Sequence, residues 1–285
     1  MAAPEAATLA YPAATVEPPF GTYALPPLVE RLRQTGGRLG TGALARRAAS
    51  AIRRVCLAGR DGPFDVSPFP GQNLRLNPRD NLCEKRVFAA PQFWDAAERA
   101  MLAQAMHESE APFHFVDAGA NVGLYTLALR AEGPLKALAI EPDPENLRRL
   151  HINLAASGAA EVAVAPVALS SKPGRASLAP SANRGETAVA PGTDIPTLPL
   201  LDLIHQAGLT RIDALKIDIE GAEAPVLAAF LRDAPRALHP KRVVIEAQRG
   251  ARPAALDLLT RAGYLIIHRT RLNAILTAPE RGPTL

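Results

Sequence analysis

From about residue 113 onward, short apolar runs alternate with stretches in which apolar residues recur every three or four positions. The short runs are typical of buried strands, and the wider spacing is typical of helices that cover a sheet. The predicted strands are Phe113–Asp117, Leu135–Ile140, Val162–Leu169, Ile212–Ile219 and Arg242–Ala247, followed by a terminal pair at Tyr264–His268 and Leu272–Thr277. This alternation predicts an α/β fold with a mostly parallel sheet and helices on both faces.

Helices are predicted between these strands, where apolar residues return with the spacing of one helical face. In Pro144–Ser157, for example, Leu147, Leu150 and Leu154 share a face, and Gly158 is a stop signal. The other predicted helices are Phe93–His107, one that begins near Val122, Leu198–Gly208, one opened by Glu220–Glu223, and Pro253–Ala262.

The pattern before about residue 110 is weaker. Residues 1–27 are rich in Ala and Pro and are predicted to form a poorly ordered leader. Leu28–Leu57 is basic and helix-prone, and its internal glycines should divide it into two helices. Asp61–Pro91 is predicted to hold short strands, with Asn73–Leu76 and Val87–Ala89 as candidates.

These changes along the chain predict three parts. Residues 1–60 form the leader and the basic helices, residues 61–110 an appendage that packs on the core, and residues 111–285 the main α/β domain. A basic helical segment is compatible with contact to a membrane surface or an anionic polymer. A solvated helical face that covers the edge of the domain is the commoner arrangement, and we favour it.

Composition narrows the class of protein. The 285 residues are 48% hydrophobic, which suffices for one sizeable domain and an appendage, and the net charge is +4. That mild charge suits an anionic small substrate or a nearby acidic surface and argues against nucleic acid, which requires a concentrated basic footprint. Two cysteines, Cys56 and Cys83, offer neither a disulfide framework nor a zinc site. With no apolar run of membrane-spanning length and no secretory signal, we expect a cytoplasmic protein.

Five acids stand at or just past the ends of predicted strands. They are Asp117, Glu141, Asp218, Glu220 and Glu246. Ligands of parallel α/β sheets bind at the carboxyl ends of the strands. The shared placement of these acids therefore predicts the binding edge.

The stretch Asp117-Ala-Gly119-Ala-Asn121-Val-Gly123 predicts a strand, a tight glycine turn and the first turn of a helix. Glu141 follows Gly119 by 22 positions, near the offset expected of an acid that binds ribose hydroxyls. Asp117 and Asn121 depart from the three-glycine pyrophosphate pattern of dinucleotide sites. An acid there favours a cationic sulfonium or amino group, and S-adenosylmethionine carries both.

With these motifs the chain resembles the FkbM family of S-adenosylmethionine-dependent methyltransferases, over about residues 73–276. The matching motifs are Val116–Thr126, Glu141–Asn146, Val167–Ser170, Leu215–Glu223 and Val244–Glu246. Ala118 stands where the family often has Ile or Val, and the segment before about residue 60 carries no family signature.

The resemblance implies a Rossmann-like methyltransferase fold for residues 111–285, with a seven-stranded sheet whose last strand is antiparallel. It also implies a set of cofactor-binding residues. Asp117, Gly119 and Asn121 would hold the methionine part of the cofactor, Glu141 its ribose, and Ala168 would lie close to the adenine, with Gly123 and Asp143 completing the set. Residues 61–110 would pack against this domain.

The expected reaction is transfer of a methyl group to a hydroxyl of a sugar, glycan or natural-product scaffold. An alcohol is a poor nucleophile, so a general base beside it helps. We predict Asp218 as that base because of its place at a strand end, with Glu220 and Glu246 as second choices. Lys216 is predicted to orient the acceptor or pair with a carboxylate, and Glu223 to cap a helix.

The remaining predictions concern the substrate and a metal. Ser170–Gly192 is predicted to be irregular, and Asn183 and Arg184 within it are candidates for binding a sugar or an anionic group. Oxygen ligands would suit Mg²⁺, but nothing in the spacing of the acids requires a metal, and none is predicted. Two other classes stay open, an NAD-dependent oxidoreductase and a non-catalytic module that binds a glycan or a partner.

Overall fold

The computed structural model describes residues 17–179, 189–247 and 254–279. Its helices are α1 (Pro27–Gly37), α2 (Ala43–Leu57), α3 (Leu82–Ala89), α4 (Ala96–His107), α5 (Leu124–Arg130), α6 (Pro144–Ala156), α7 (Leu200–Gln206), α8 (Glu223–Asp233) and α9 (Ala254–Arg261). Its strands are β1 (Phe64–Phe69), β2 (Gln72–Leu76), β3 (Phe113–Ala118), β4 (Leu135–Ile140), β5 (Val162–Ala165), β6 (Ala168–Leu169), β7 (Gly174–Leu178), β8 (Val189–Leu198), β9 (Ala214–Ile217), β10 (Arg242–Glu246), β11 (Leu265–Arg269) and β12 (Asn273–Thr277). Within these ranges, no helix is both long and apolar enough to cross a membrane.

The central sheet confirms the predicted fold class. Its seven strands lie in the order β11, β12, β10, β9, β3, β4, β5. Strands β3, β4, β5, β9 and β10 pair in parallel, whereas β12 is antiparallel to both of its neighbours. The chain runs from β3 to β4 on one side and returns to β9 on the other. The carboxyl ends of β3 and β9 therefore border a topological switch point, where such sheets bind ligands.

Helices cover both faces of the sheet, as predicted. On one face, α4, α5 and α6 pack against alternate residues of the strands, such as Phe115 of β3 and Val244 of β10. On the other face, α7, α8 and α9 pack against the intervening residues, such as Val116 and Ile245. Because side chains alternate along a strand, one apolar strand supplies both layers of the core.

The strands before the sheet pack on α6. The hairpin of β1 and β2 is antiparallel, and the backbone N–H of Arg75 in β2 donates to Asn153 Oδ1 of α6 at 2.7 Å. The N–H of Asn73 donates to Ser157 Oγ at 3.0 Å. The appendage is thus seated on the face of α6 that also covers the sheet, while the three-part division of the chain stays a prediction.

The basic segment forms two helices that separate after Gly37, as the glycines predicted. The expectation of a poorly ordered leader is wrong for the residues just before α1, whereas residues 1–16 lie outside the described part. The backbone N–H groups of Gly21 and Tyr23 donate to the buried carboxylate of Asp65, and the side chain of Leu25 is buried. These bonds hold the segment against β1.

Three other local predictions are wrong. Val87–Ala89 belongs to α3, because Asn81 caps that helix by accepting from the N–H groups of Cys83 and Glu84. The single strand predicted at Val162–Leu169 is divided into β5 and β6, since Pro166 has no N–H to continue the ladder.

The segment Ser170–Gly192, predicted to be irregular, contains β7 and the start of β8. These two strands form a three-stranded sheet with β6, separate from the central sheet. Polar side chains in β7 and β8 hid the alternation that predicts a strand, because this small sheet has little apolar core of its own.

Candidate functional site

The turn after β3 requires three left-handed backbone conformations within five residues. Gly119 has a φ of 76°, Asn121 of 52° and Gly123 of 85°. A Cβ atom on Gly119 would lie 1.9 Å from the carbonyl oxygen of Asp218, and one on Gly123 would lie 2.6 Å from Cδ1 of Leu150. Gly119 is therefore needed so that the turn can approach the backbone after β9, whereas at Gly123 glycine is favoured by the positive φ and the side chain of Leu150 could move.

Glu141 is tied to this turn from the neighbouring strand. The N–H of Asn121 donates to its Oε2 at 2.7 Å, and the N–H of Asp143 donates to its Oε1 at 3.0 Å. Burial raises the pKa of Glu141 to about 7, although these two N–H groups stabilise its charged form. Each carboxylate oxygen keeps a lone pair for a further donor, such as a ligand hydroxyl.

Asp117 lies beneath the turn and is 1% exposed. Its Oδ2 accepts from Thr126 Oγ1 at 2.8 Å, whereas its Oδ1 has no hydrogen-bond partner among the described residues. Burial raises the pKa of Asp117, and the nearby positive charge of Lys216 partly opposes that rise. An unpartnered buried carboxylate oxygen is costly and requires explanation, for which a bound cationic or N–H-bearing ligand is one.

Lys216 joins the turn to the end of β9. Its Nζ donates to the carbonyl oxygen of Gly119 at 2.8 Å and lies 3.5 Å from Asp218 Oδ2. Burial disfavours its charge, but Asp218 and Asp117 outweigh that effect and raise the pKa of Lys216. The ammonium also lies 5.7 Å from the ring centre of Tyr125. Lys216 thus stays protonated and cannot serve as a base at neutral pH.

The carboxylate of Asp218 lies at the mouth of the site. Its side chain is 42% exposed, against 9% for Lys216. In the sheet Ile217 pairs with Ala118 of β3 and with Ile245 of β10, so Asp218 follows at the carboxyl edge beside Gly119 and Glu246. It therefore combines access from solvent with a fixed cationic neighbour.

These residues border a cleft of about 560 Å³, a volume that includes the solvent at its mouth. The predicted site residues on its wall are Gly119, Asn121, Glu141, Ala168, Asp218 and Glu220. Asp117, Gly123, Lys216 and Glu246 are not on that wall. They support it or lie beside it, and the part of each in binding or catalysis stays a prediction.

Two carboxylates, those of Asp143 and Glu223, accept hydrogen bonds from backbone N–H groups. Asp143 Oδ1 accepts from the N–H groups of Glu145 and Asn146 and so caps α6. Glu223, predicted as a helix cap, accepts from the N–H groups of Ile219 and Gly221 in the turn after β9. The carboxylate of Asp143 therefore stabilises the helix that follows Glu141, and its contact with the cofactor remains only a prediction.

The remaining predictions concern the substrate residues, Glu220 and a metal ion. Asn183 and Arg184, the predicted substrate residues, lie outside the described residues. Glu220 takes a left-handed conformation with a φ of 53° beside the cleft. Among the described residues, no group of three or more His, Cys, Asp or Glu side chains is arranged to hold a metal ion.

Sequence reasoning missed two buried asparagines that hold the turn. Asn81, which is 1% exposed, donates from Nδ2 to Asn121 Oδ1 at 2.8 Å while its own Oδ1 caps α3. Asn153 of α6 donates from Nδ2 to the carbonyl oxygen of Val122 at 2.9 Å. Asn81 followed three residues later by Glu84 is a helix-start pattern, and this signal would have found α3 and its cap.

Sequence reasoning also missed Asp95, which lies behind the turn and pairs with Tyr125. The hydroxyl of Tyr125 donates to Asp95 Oδ2 at 2.8 Å, and the rings of Tyr125 and Trp94 pack edge to face at 4.8 Å. Burial raises the pKa of both Asp95 and Tyr125. The segment before α4 therefore closes the side of the site that faces Lys216.

Comparison with known proteins gives one family. The sequence pattern of the methyltransferase FkbM domain matches residues 117–266. A relative, the methyltransferase sdnD of Sordaria araneosa, is 35% identical over 41% of this chain and 59% of its own length. The chain thus spans about three fifths of that relative.

Two solved structures show a weaker likeness. Precorrin-6y C5,15-methyltransferase from Geobacter metallireducens is 17% identical, covers 64% of this chain and 87% of its own, and has a TM-score of 0.41. An S-adenosylmethionine-dependent methyltransferase from Agrobacterium tumefaciens is 10% identical, covers 76% and 70%, and has a TM-score of 0.42. Since both scores are low, the fold class rests on the strand order of the sheet.

Proposed function

The chain belongs to the methyltransferase FkbM family, and from this premise we propose that it transfers a methyl group from S-adenosylmethionine to a hydroxyl of a sugar, glycan or natural-product scaffold. The cofactor supplies a carbon already activated by positively charged sulfur. The protein must therefore bind both reactants, align them, and accept the proton of the hydroxyl.

The residues of the cleft fit this cofactor. Glu141 offers two carboxylate oxygens on the cleft wall, which suits the two adjacent hydroxyls of a ribose. The unpartnered oxygen of Asp117 places negative charge beneath the turn, which suits a cationic ligand better than a pyrophosphate. Ala168, a small residue on the same wall, leaves room for a flat base.

The single observation that carries the proposed reaction is the exposed carboxylate of Asp218 beside the buried ammonium of Lys216. Asp218 is the more exposed of the pair and lines the cleft, so an acceptor hydroxyl can reach it. The ammonium lies 3.5 Å from Oδ2 of this carboxylate and fixes its position, and a carboxylate so placed can accept the proton of the hydroxyl. Lys216 also fixes the turn through Gly119, so it is proposed as a positioning residue.

The test has two stages. Calorimetric titration should show binding of S-adenosylmethionine and S-adenosylhomocysteine, and binding of NAD alone would refute the cofactor. Asp218→Asn should then lower the rate of methyl transfer to acceptors in a cell extract by about a hundredfold or more, since a general base contributes about 10²–10⁴-fold. The variant should still bind S-adenosylhomocysteine. Full transfer by this variant would show that Asp218 is not the base.

A further inference from the structure

A second groove lies between α2, α3 and the turn before α4. Arginines supply three of its seven lining residues, and the full set is Arg46, Ala49, Ser50, Arg53, Arg86, Ala90 and Phe93. The groove has a volume of about 520 Å³, including solvent at its mouth. No acidic residue lines it, so its wall is cationic.

Among the described residues, none of the three guanidinium groups is held in an ion pair, although the charges of Arg86 and Asp95 attract each other. Within the described ranges, no carboxylate forms an ion pair with Arg46, Arg53 or Arg86. Helix α2 contains no acidic residue that could supply one. By contrast, Arg33 on the adjacent helix α1 is paired with Glu30. What sets the groove apart is that three arginines without an ion pair among the described residues line one wall.

Two of the arginines, Arg53 and Arg86, repel each other electrostatically. Burial lowers the pKa of Arg53, and the like charge of Arg86 lowers it further. A fold that brings two cations together on a partly buried wall gains most from an anion placed between them. Ser50 supplies a hydroxyl that already contacts Arg53 Nη2 at 3.4 Å.

The third arginine stacks over an aromatic ring. The guanidinium carbon of Arg46 lies 4.7 Å from the ring centre of Phe93. Stacking over the ring restricts the guanidinium and leaves its edge N–H groups free of the ring. Planar N–H forks of this kind match the geometry of phosphate, sulfate and carboxylate oxygens.

Helix α3 links the groove to the cleft, because its cap Asn81 donates to Asn121 on the cleft wall and its Arg86 lines the groove. Arg86 follows Cys83 by three residues, so both lie on one face of the helix and about 4.5 Å apart along its axis. Burial raises the pKa of Cys83 to about 11, and the charges of Lys216 and Asp218 also act on that thiol. Helix α3 thus begins at a residue bonded to the cleft wall and carries Arg86 on the wall of the cationic groove.

We propose that this groove binds an oxyanion group of the acceptor, so that the molecule methylated at Asp218 is negatively charged. Phosphate, sulfate and carboxylate share the required chemistry. The proposal rests on the proposed function for its acceptor, whereas the anion site itself can be tested without any methyl transfer.

The first experiment titrates the full chain with inorganic phosphate and with pyrophosphate, at constant ionic strength kept by sodium chloride. Binding is followed by calorimetry and by fluorescence of Trp94, the single tryptophan, which follows Phe93 in the chain. Arg53→Gln and Arg86→Gln should each weaken binding about tenfold or more, since each removes a charge-assisted hydrogen bond. Arg47→Gln, an exposed arginine of α2 outside the groove, is the matched control and should bind as the wild type does.

S-adenosylhomocysteine should bind equally to all four proteins, which shows that the variants fold. Absence of phosphate binding beyond the effect of chloride would overturn the site. An equal loss in Arg47→Gln would overturn it too, because the effect would then be one of overall charge.

The second experiment identifies the source of the anion. The protein is incubated with methyl-labelled S-adenosylmethionine and small molecules and glycans extracted from the organism that carries the gene. The proposal expects the labelled product to be retained on an anion exchanger, and to be formed at least about tenfold more slowly by Arg53→Gln and Arg86→Gln than by Arg47→Gln. A labelled product that is not retained would overturn the anionic acceptor. No labelled product at all, with phosphate still bound in the groove, would refute the proposed function and leave a free-anion site.

Discussion

Replacing Gly119 by alanine tests whether the close approach of the turn to β9 sets the cofactor site. The added Cβ would lie 1.9 Å from the carbonyl oxygen of Asp218, a distance that real Cβ atoms essentially never show. Because the opposing atom belongs to the backbone, no side-chain rotation relieves the contact. The turn and the end of β9 must therefore separate by about 1 Å.

The expected loss of stability in Gly119→Ala is the sum of two free-energy costs. A left-handed conformation costs a non-glycine residue about 1–2 kcal/mol. Overpacking adds about 1–3 kcal/mol. Gly158 provides the matched control, because its φ is 63°, close to the 76° of Gly119, and nothing lies within 4 Å of its added Cβ. Gly158→Ala should therefore show the first cost alone, and Gly119→Ala the sum of about 2–5 kcal/mol.

Denaturant unfolding measures both variants, and calorimetric titration with S-adenosylhomocysteine measures binding. Gly158→Ala should bind as the wild type does. Gly119→Ala should bind about a hundredfold more weakly, since a displacement of about 1 Å in a positioned site can cost that factor. If the two variants lose equal stability and both retain affinity, the close approach does not organise the site and the reasoning fails.

Three further predictions concern the groups that hold the turn. Asn81→Ser should keep the helix cap but lose the bond to Asn121, weakening S-adenosylhomocysteine binding about tenfold by calorimetry with less than about 1 kcal/mol of lost stability. Lys216→Met should lower the free energy of unfolding by about 3 kcal/mol or more, because the buried carboxylate of Asp117 would lose the nearby ammonium of Lys216. The control Lys136→Met, at a more exposed site, should change the free energy of unfolding little. The pKa of Glu141 is raised from 4.5 to about 7 in the folded protein, so ionisation of this carboxyl lowers the free energy of unfolding as the pH rises from 4.5 to 7. Glu141→Gln should therefore reduce this fall in stability, measured by denaturant unfolding of the ligand-free protein at several pH values.

The sequence predicted the central sheet because its strands are buried on both faces. Leu135–Ile140, for example, is apolar except for Lys136, and Glu141, which follows it, lies at the edge where the cleft forms. The family resemblance identified the same residues. In this region the local sequence pattern agrees with the buried environment of the strands, so the pattern alone predicted the sheet.

Prediction failed where a polar residue acts over a long distance in the chain. Asn81 and Asn121 are 40 residues apart, and nothing in the polarity of either indicates the other. The pairing depends on α3 being placed against the turn by other contacts. Arg149 of α6 provides one of these, since it binds both Asp80 and the buried Glu84. Such bonds belong to the tertiary arrangement and leave no periodic trace in the sequence.

The position of Asn81 changes how the parts of the chain relate to function. The family match begins at Asp117, yet the residue that fixes Asn121 and the residue that holds Tyr125 both precede it. Residues of the segment 61–110 therefore hold the turn after β3, and we infer that they belong to the proposed cofactor site. The proposed anion groove lies partly outside residues 61–110, because Arg46 and Arg53 belong to α2 and only Arg86 belongs to α3. We infer that the α/β core supplies the cofactor cleft and Asp218, whereas the chain before it supports the turn and recognises the acceptor.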